Sequence, residues 1–247
     1  MMLTTLSRPS NTLMFDEAHD PGLLIAFEGS DGSGKTTQRK LFKAWLENKG
    51  EDVTVTKWNS SPLFKPLIKA RKAARLLDPV SFSVLHAADF RHRYETVIQP
   101  ALRDGKIVIS DRYVFTGISR DVARGLSRQW SMNLYGSVRK PDIVFYLSAQ
   151  AEVFAERIAA SREMKYYEAG QDITGLDDPY ESYLRFAPKV LGEYDRLHRQ
   201  FGFAVVDARQ SIYDQHRFIR ETYMQRFSNE HPVPELQADL NANFAAS

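Results

Sequence analysis

The chain has 247 residues, of which 43% are hydrophobic and 26% charged, with a formal net charge of only +2 and no cysteine. This length suits one α/β domain with a full core, and the near-neutral charge gives no electrostatic case for a nucleic-acid partner. The lack of cysteine excludes disulfides, thiolate chemistry and cysteine metal sites; with no membrane-length apolar run and no secretory pattern at residues 1–5, a cytoplasmic enzyme without a membrane partner is expected.

Residues 1–21 mix Ser, Thr, Asn, Asp and Pro without periodicity and read as a flexible N-terminal extension. Asp16-Glu17-Ala18-His19 spells a helicase motif there, but a helicase needs it after the phosphate loop, together with a second lobe that this length cannot supply. The apolar run Leu23-Leu24-Ile25-Ala26-Phe27 predicts a buried strand over 23–28. A helix over 35–49 follows and stops at Gly50, a C-terminal cap signal. Next come a strand at 53–57, helices at 63–77 and 80–103 with a kink or break at Pro100, and a strand at 106–110. Further on lie a strand at 143–147, a helix at 150–160, a polar segment at 162–178 and a helix at 179–200. A strand at 203–206 and a helix at 211–227 complete the domain, 22–227, and 228–247 reads as a C-terminal tail. Alternating strands and helices imply a parallel sheet covered by helices on both faces.

Between the first strand and the first helix stands G-x-x-x-x-G-K-T, Gly29 to Thr36, in the strand–loop–helix context that a phosphate-binding loop requires. Gly29, Gly32 and Gly34 let the backbone curl so that its N–H groups, with those of Ser30, Asp31, Ser33 and Thr37, point at phosphate oxygens. The helix start adds its positive end. Lys35 is expected to reach the β- and γ-phosphates of a nucleoside triphosphate, and the Thr36 hydroxyl to ligate Mg2+. At the end of the 106–110 strand come Asp111 and Arg112, where open α/β sheets place their ligands. Asp111 is a candidate to hold a metal-bound water, and Arg112 to grip an acceptor phosphate. Asn48-Lys49-Gly50-Glu51 approaches a guanine-reading motif but lacks its Asp, and the six histidines show no metal-ligand spacing.

The sequence resembles the thymidylate kinases. The matches are Phe27 to Gln38 around the phosphate loop, Asp111-Arg112-Tyr113, Val97-Ile98-Gln99-Pro100-Ala101-Leu102, Pro141 to Leu147, and Val205-Val206-Asp207-Ala208. They lie in the family's order and cover about 23–220. The resemblance implies a P-loop NTPase fold with a five-stranded parallel sheet and a mobile lid, usually a homodimer. It also implies ATP as donor, Mg2+ as cofactor and a nucleoside monophosphate, dTMP first, as acceptor. Asp31 stands where the family carries a carboxylate near the acceptor sugar and phosphate.

Departures from the family fall on the acceptor side. Lys57-Trp58-Asn59-Ser60-Ser61-Pro62 replaces an Arg-Glu-Pro-Gly-like turn, with Trp58 a candidate for the acceptor pocket. His86 and Phe90, with Arg91 next door, stand in place of a base-stacking Phe and a base-reading Arg. Ser119, Arg120 and Asp121 replace Ala-Tyr-Gln. Some family members follow the loop carboxylate with an Arg, and here that residue is Gly32. The catalytic cation is therefore expected from 162–178 or just before it, with Arg162, Lys165 and Arg157 the candidates; Tyr166, Tyr167 and Glu168 are read as lid hinges or packing residues. A kinase for another monophosphate or a deoxynucleoside, and a non-catalytic nucleotide switch, are the alternative readings.

Overall fold

A computed structural model of the chain describes residues 15–16 and 20–227. After a short strand β1 (Phe15–Asp16), the apolar run forms β2 (Leu23–Glu28), whose last five residues are buried. Strand alternation sends Leu24 and Ala26 into one core cluster and Ile25 and Phe27 into another on the opposite face. The chain continues through α1 (Lys35–Glu47), β3 (Val53–Lys57), α2 (Lys65–Ala73) and α3 (Pro79–Arg93). A π-helical turn (Tyr94–Ile98) and α4 (Gln99–Arg103) lead to β4 (Ile107–Asp111), then α5 (Val114–Ala123), α6 (Arg128–Tyr135), β5 (Val138–Arg139) and β6 (Ile143–Ser148). The remainder is α7 (Ala151–Ser161), α8 (Tyr166–Ala169), α9 (Gln171–Thr174), α10 (Pro179–Phe201), β7 (Ala204–Asp207) and α11 (Ile212–Phe227).

The main sheet has five parallel strands in the order β3-β4-β2-β6-β7, the α/β fold expected. Phe42 and Leu46 of α1, with α7 and α11, cover one face; α3, α5 and α6 cover the other, and α10 contributes to both clusters. The register sets Phe27 of β2 beside Asp111 of β4. Parallel pairing therefore brings Glu28, Lys57, Asp111, Ser148 and Asp207 to one edge, with β2 at the point where the connections change direction. The site forms at that edge. No described helix is long and apolar enough to cross a membrane.

Four local features differ from the expected elements. The irregularity ascribed to Pro100 lies just before it, as the π turn at Tyr94–Ile98. A proline lacks the N–H for, and crowds, the carbonyl four residues back, so the helix widens there. The stretch 114–135, given no element above, forms α5 and α6; Val114, Phe115 and Ile118 bury one helical face. The polar 162–178 segment holds α8 and α9, each followed by a left-handed glycine, Gly170 and Gly175. Within the expected extension, Phe15–Asp16 pairs in parallel with β5, and the Phe15 ring packs edge-on against Phe115 and Phe201. Residues 1–14, 17–19 and 228–247, with most of the two proposed tails and Glu17-Ala18-His19, lie outside the described residues.

Candidate active site

The loop after β2 can be built only with glycine at its tightest points. Gly29 has φ 139° and a Cβ there would stand 2.6 Å from the Leu147 carbonyl oxygen; Gly32 has φ 79° and its Cβ would stand 2.8 Å from that of Phe154. The loop curls round Lys35, whose Nζ donates to the Ser30 carbonyl and, at 3.0 Å, to Ser33 Oγ. Burial, aided by the nearby Arg112 guanidinium, pulls the Lys35 pKa down to about 7. Gly34 caps α1 without a side-chain bond, and the first turn carries no acidic residue, so its positive end is not neutralised locally. Residues 31–37 line a cavity of about 490 Å³, closed on its other sides by Trp58, Asp111, Arg112, Arg157 and Arg162.

Strand β4 delivers the acid and base. Arg39 of α1 donates from Nε to Asp111 Oδ2 at 3.1 Å, a buried pair that fixes this carboxylate at the cavity wall. The Trp58 N–H bonds the Asp111 carbonyl at 2.9 Å and so draws that ring to the same edge. Arg112 adopts a left-handed backbone, φ 73°, uncommon for a residue with a side chain. The conformation turns its guanidinium back over the loop, where it donates to the Gly29 carbonyl at 2.7 Å and to Asp31 Oδ1 at 2.6 Å. Arg120 of α5 donates to the other carboxylate oxygen of Asp31 at 2.7 Å. Burial would raise the Asp31 pKa, but Arg112 and then Arg120 overcome it and hold the carboxyl well below the usual range. Arg112 is also desolvated, and Asp31 more than reverses that effect, so it stays protonated. Behind them the buried Glu28 accepts from the Tyr113 N–H, Thr116 Oγ1 and Tyr194 OH at 2.7, 2.6 and 2.9 Å, which braces the start of α5.

A second cavity, of about 440 Å³, adjoins the first, and Asp31, Trp58, Arg112 and Arg162 line both. Beyond that shared rim its wall includes Lys72, Phe82, Arg120, Lys165, Tyr166 and Tyr167. Five cationic side chains (Lys72, Arg112, Arg120, Arg162, Lys165) face two carboxylates (Asp31, Glu168) there, an excess suited to an anionic ligand. Arg162 makes a two-pronged contact with Glu168, at 2.6 and 2.9 Å, and remains half-exposed. Tyr167 is a packing residue: its hydroxyl accepts from the Leu77 N–H at 2.9 Å and its carbonyl accepts from Arg124, which also pairs with Asp172 at 2.8 Å.

Four expected acceptor residues lie elsewhere. His86 is 1% exposed; its Nδ1 faces the Phe82 carbonyl at 2.7 Å and its ring stacks on Phe82 and Trp58. Phe90 sits in the core, edge-on to Tyr113 at 5.0 Å. Arg91 reaches the Gly136 and Ser137 carbonyls, both at 3.3 Å, away from both cavities. Asp121 is buried and accepts from Ser83, and burial raises its pKa to about 7. The cause is helical geometry. Positions 82, 86 and 90 run down one inward stripe of α3, and only Phe82, at its N-terminal end, reaches the cavity wall. On α5, Arg120 and Asp121 point about 100° apart, so one meets Asp31 and the other the α3 side.

Lys72 and Phe82 are two wall residues that pattern reading did not single out. Lys65, Lys69, Arg71, Lys72 and Arg75 crowd one stretch, and nothing in their spacing marks the cation that faces inward. Among the described residues no group of three or more His, Cys, Asp or Glu side chains could enclose a metal ion. Thr36 and Asp111 do line the same cavity, and one hydroxyl with one carboxylate suits Mg2+, which keeps several waters and binds substrate phosphate.

A family model described as Thymidylate kinase matches residues 27–219. The chain is 41% identical over 202 residues to probable thymidylate kinase 2 of Saccharolobus solfataricus, covering 81% of this chain and 94% of that one. It is 32% identical over 208 residues to the probable thymidylate kinase of Thermococcus gammatolerans and 32% over 205 residues to that of Pyrococcus abyssi. In both cases 80% of this chain and 94% of the relative are covered.

Proposed function

Because the chain belongs to the thymidylate kinase family of nucleoside-monophosphate kinases, we propose that it transfers the terminal phosphoryl group of ATP to dTMP, giving ADP and dTDP. The observation that carries this reading is the pair of adjoining cavities with Asp31, Arg112 and Arg162 on their common rim. The phosphate loop opens on one side of that rim and the cationic cavity on the other, so a donor and an acceptor phosphate can meet there.

The donor phosphates lie along residues 29–37, and Lys35 exchanges its bonds to Ser30 and Ser33 for phosphate oxygens. Arg112 and Arg120 grip the acceptor phosphate. Asp31 is a positioning residue for both, because its two oxygens hold one guanidinium each and leave their other N–H groups for the ligand. An acceptor phosphate oxygen attacks the γ-phosphorus as the bond to the β,γ-bridging oxygen breaks. Arg162 and Lys165 stabilise the charge on the group in transit. Thr36 and Asp111 would hold Mg2+, which supplies neutralising charge to the donor phosphates. Trp58 and the 162–178 segment close over the rim and exclude water, which keeps ATP from simple hydrolysis. The resemblance also implies a cytoplasmic homodimer; Leu63, Leu67, Val80 and Val84, exposed on or beside α2 and α3, support a dimer surface there.

The test is ADP release in a coupled assay with dTMP, dUMP, dCMP, dGMP and AMP as acceptors. Acceptor-dependent release, greatest with dTMP, is expected. Release with no acceptor dependence would replace the kinase reading with a nucleotide switch, and efficient use of another monophosphate without dTMP turnover would remove the dTMP assignment alone.

A further inference from the structure

The acceptor cavity has two ends of different chemistry. Its rim, shared with the phosphate loop, carries Asp31, Arg112 and Arg162, with Arg120 bound to Asp31 beside them, so the acceptor phosphate belongs there and the nucleoside fills the remainder. In that remainder stands Lys72, from the last turn of α2.

Its position is fixed by a short relay. The Phe82 carbonyl can only accept, so His86 Nδ1, 2.7 Å away, must carry the ring proton. His86 Nε2 is then a bare lone pair, and it accepts from Lys72 Nζ at 3.0 Å. Burial and the neighbouring Lys72 charge hold His86 well below its ordinary pKa, which keeps this tautomer neutral. Lys72 Nζ also lies 4.9 Å from the centre of the Phe82 ring, which packs as well against His86, Tyr167 and the Arg124 guanidinium. Among the described residues no carboxylate lies within ion-pairing distance of Lys72. Burial, with Arg120 and Arg124 nearby, brings its pKa to about 7. This is an oriented donor with unused N–H groups and no ion-paired carboxylate, on the part of the wall that the phosphate-loop cavity does not share.

We propose that Lys72 donates a hydrogen bond to the C4 carbonyl oxygen of the acceptor base and thereby selects a carbonyl over an exocyclic amine at that position. The inference rests on the dTMP reading above. A protonated amine has only donors, so a base that presents its own N–H there leaves both groups unsatisfied in a desolvated pocket. A nucleotide phosphate brought to the rim raises the Lys72 pKa and reinforces the donor state. The pairing of His86 with Lys72 also explains why a histidine at this place is buried: it acts through the lysine and does not touch the ligand.

The experiment compares kcat/KM for dTMP and for 5-methyl-dCMP, which differs from dTMP at C4 and in the proton on N3, in the unmodified protein, Lys72→Met and Lys72→Arg. The unmodified protein should prefer dTMP. Lys72→Met should lower kcat/KM for dTMP by roughly 10–100-fold and leave 5-methyl-dCMP within about 2-fold, so that the preference collapses. Lys72→Arg, which keeps the donors, should retain part of the preference. An equal fall with both acceptors would make Lys72 a phosphate contact or a structural residue and overturn the proposal, as would an unchanged ratio. No dTMP turnover by the unmodified protein would remove the dTMP reading and this inference together, whereas normal dTMP turnover in Lys72→Met removes this inference alone.

Discussion

Lys35 shows how one side chain can be both structural and chemical. In the free protein its ammonium holds the loop by donating to Ser30 and Ser33, at the cost of desolvation that brings its pKa to about 7. Phosphate oxygens favour the charged form, so ATP binding must raise that pKa. Between about pH 7 and the ordinary lysine range the free side chain is mostly neutral and the bound one charged, so binding takes up a proton; below pH 7 it is charged in both and uptake vanishes. Calorimetry of ATP binding at pH 8 in buffers of different ionisation enthalpy should show uptake approaching one proton, absent in Lys35→Ala. The same variant should lose roughly 10²–10³-fold in kcat, the scale for removing one preorganised donor to transition-state charge. Uptake that persists in the variant would assign the proton to another group, and near-normal kcat would remove Lys35 from the donor site.

At the scale of elements, the 162–178 segment is tied down at one end and loose at the other. Arg124, the residue that follows α5, is buried between Asp172 and the Tyr167 carbonyl and anchors α8 and α9 to the acceptor wall. Arg162, by contrast, is half-exposed, and its guanidinium bonds Glu168 and its neighbour's carbonyl. In the proposed reaction, closure would need only the residues before α8 to shift, with Arg162 leaving Glu168 for the phosphoryl group. Arg162→Ala should lower kcat by about 10-fold or more and change the KM for ATP far less, the pattern of an interaction made mainly in the transition state. Steady-state kinetics at saturating dTMP decides this; an unchanged kcat would move the catalytic cation to Lys165 or Arg157.

Across the whole molecule, the N-terminal segment is joined to the helix that carries Arg120. Phe15 lies edge-on to Phe115 of α5 and Phe201 of α10, while its strand pairs with β5. Phe15→Ala removes a half-buried ring and should cost about 1–2 kcal/mol, read as a lower urea midpoint, with kcat nearly intact. An unchanged midpoint would mean that β1 adds nothing to stability. The sequence by itself determined the alternation of strands and helices, the parallel sheet and the phosphate loop, because continuous apolar runs, helix caps and glycine spacing are local signals. The run of residues 31–37 along one cavity follows from the eight-residue motif Gly29–Thr36 and its flanking strand. The tertiary structure alone decided which residues of a helix reach the cavity wall: Arg120 but not Asp121, and Phe82 but not His86 or Phe90. It alone chose Lys72 from five basic neighbours and made Phe15 part of the core. Those outcomes depend on how helices rotate and pack against the sheet, and the partners that fix that rotation lie far away along the chain, as when Asp31 meets Arg112 and Arg120.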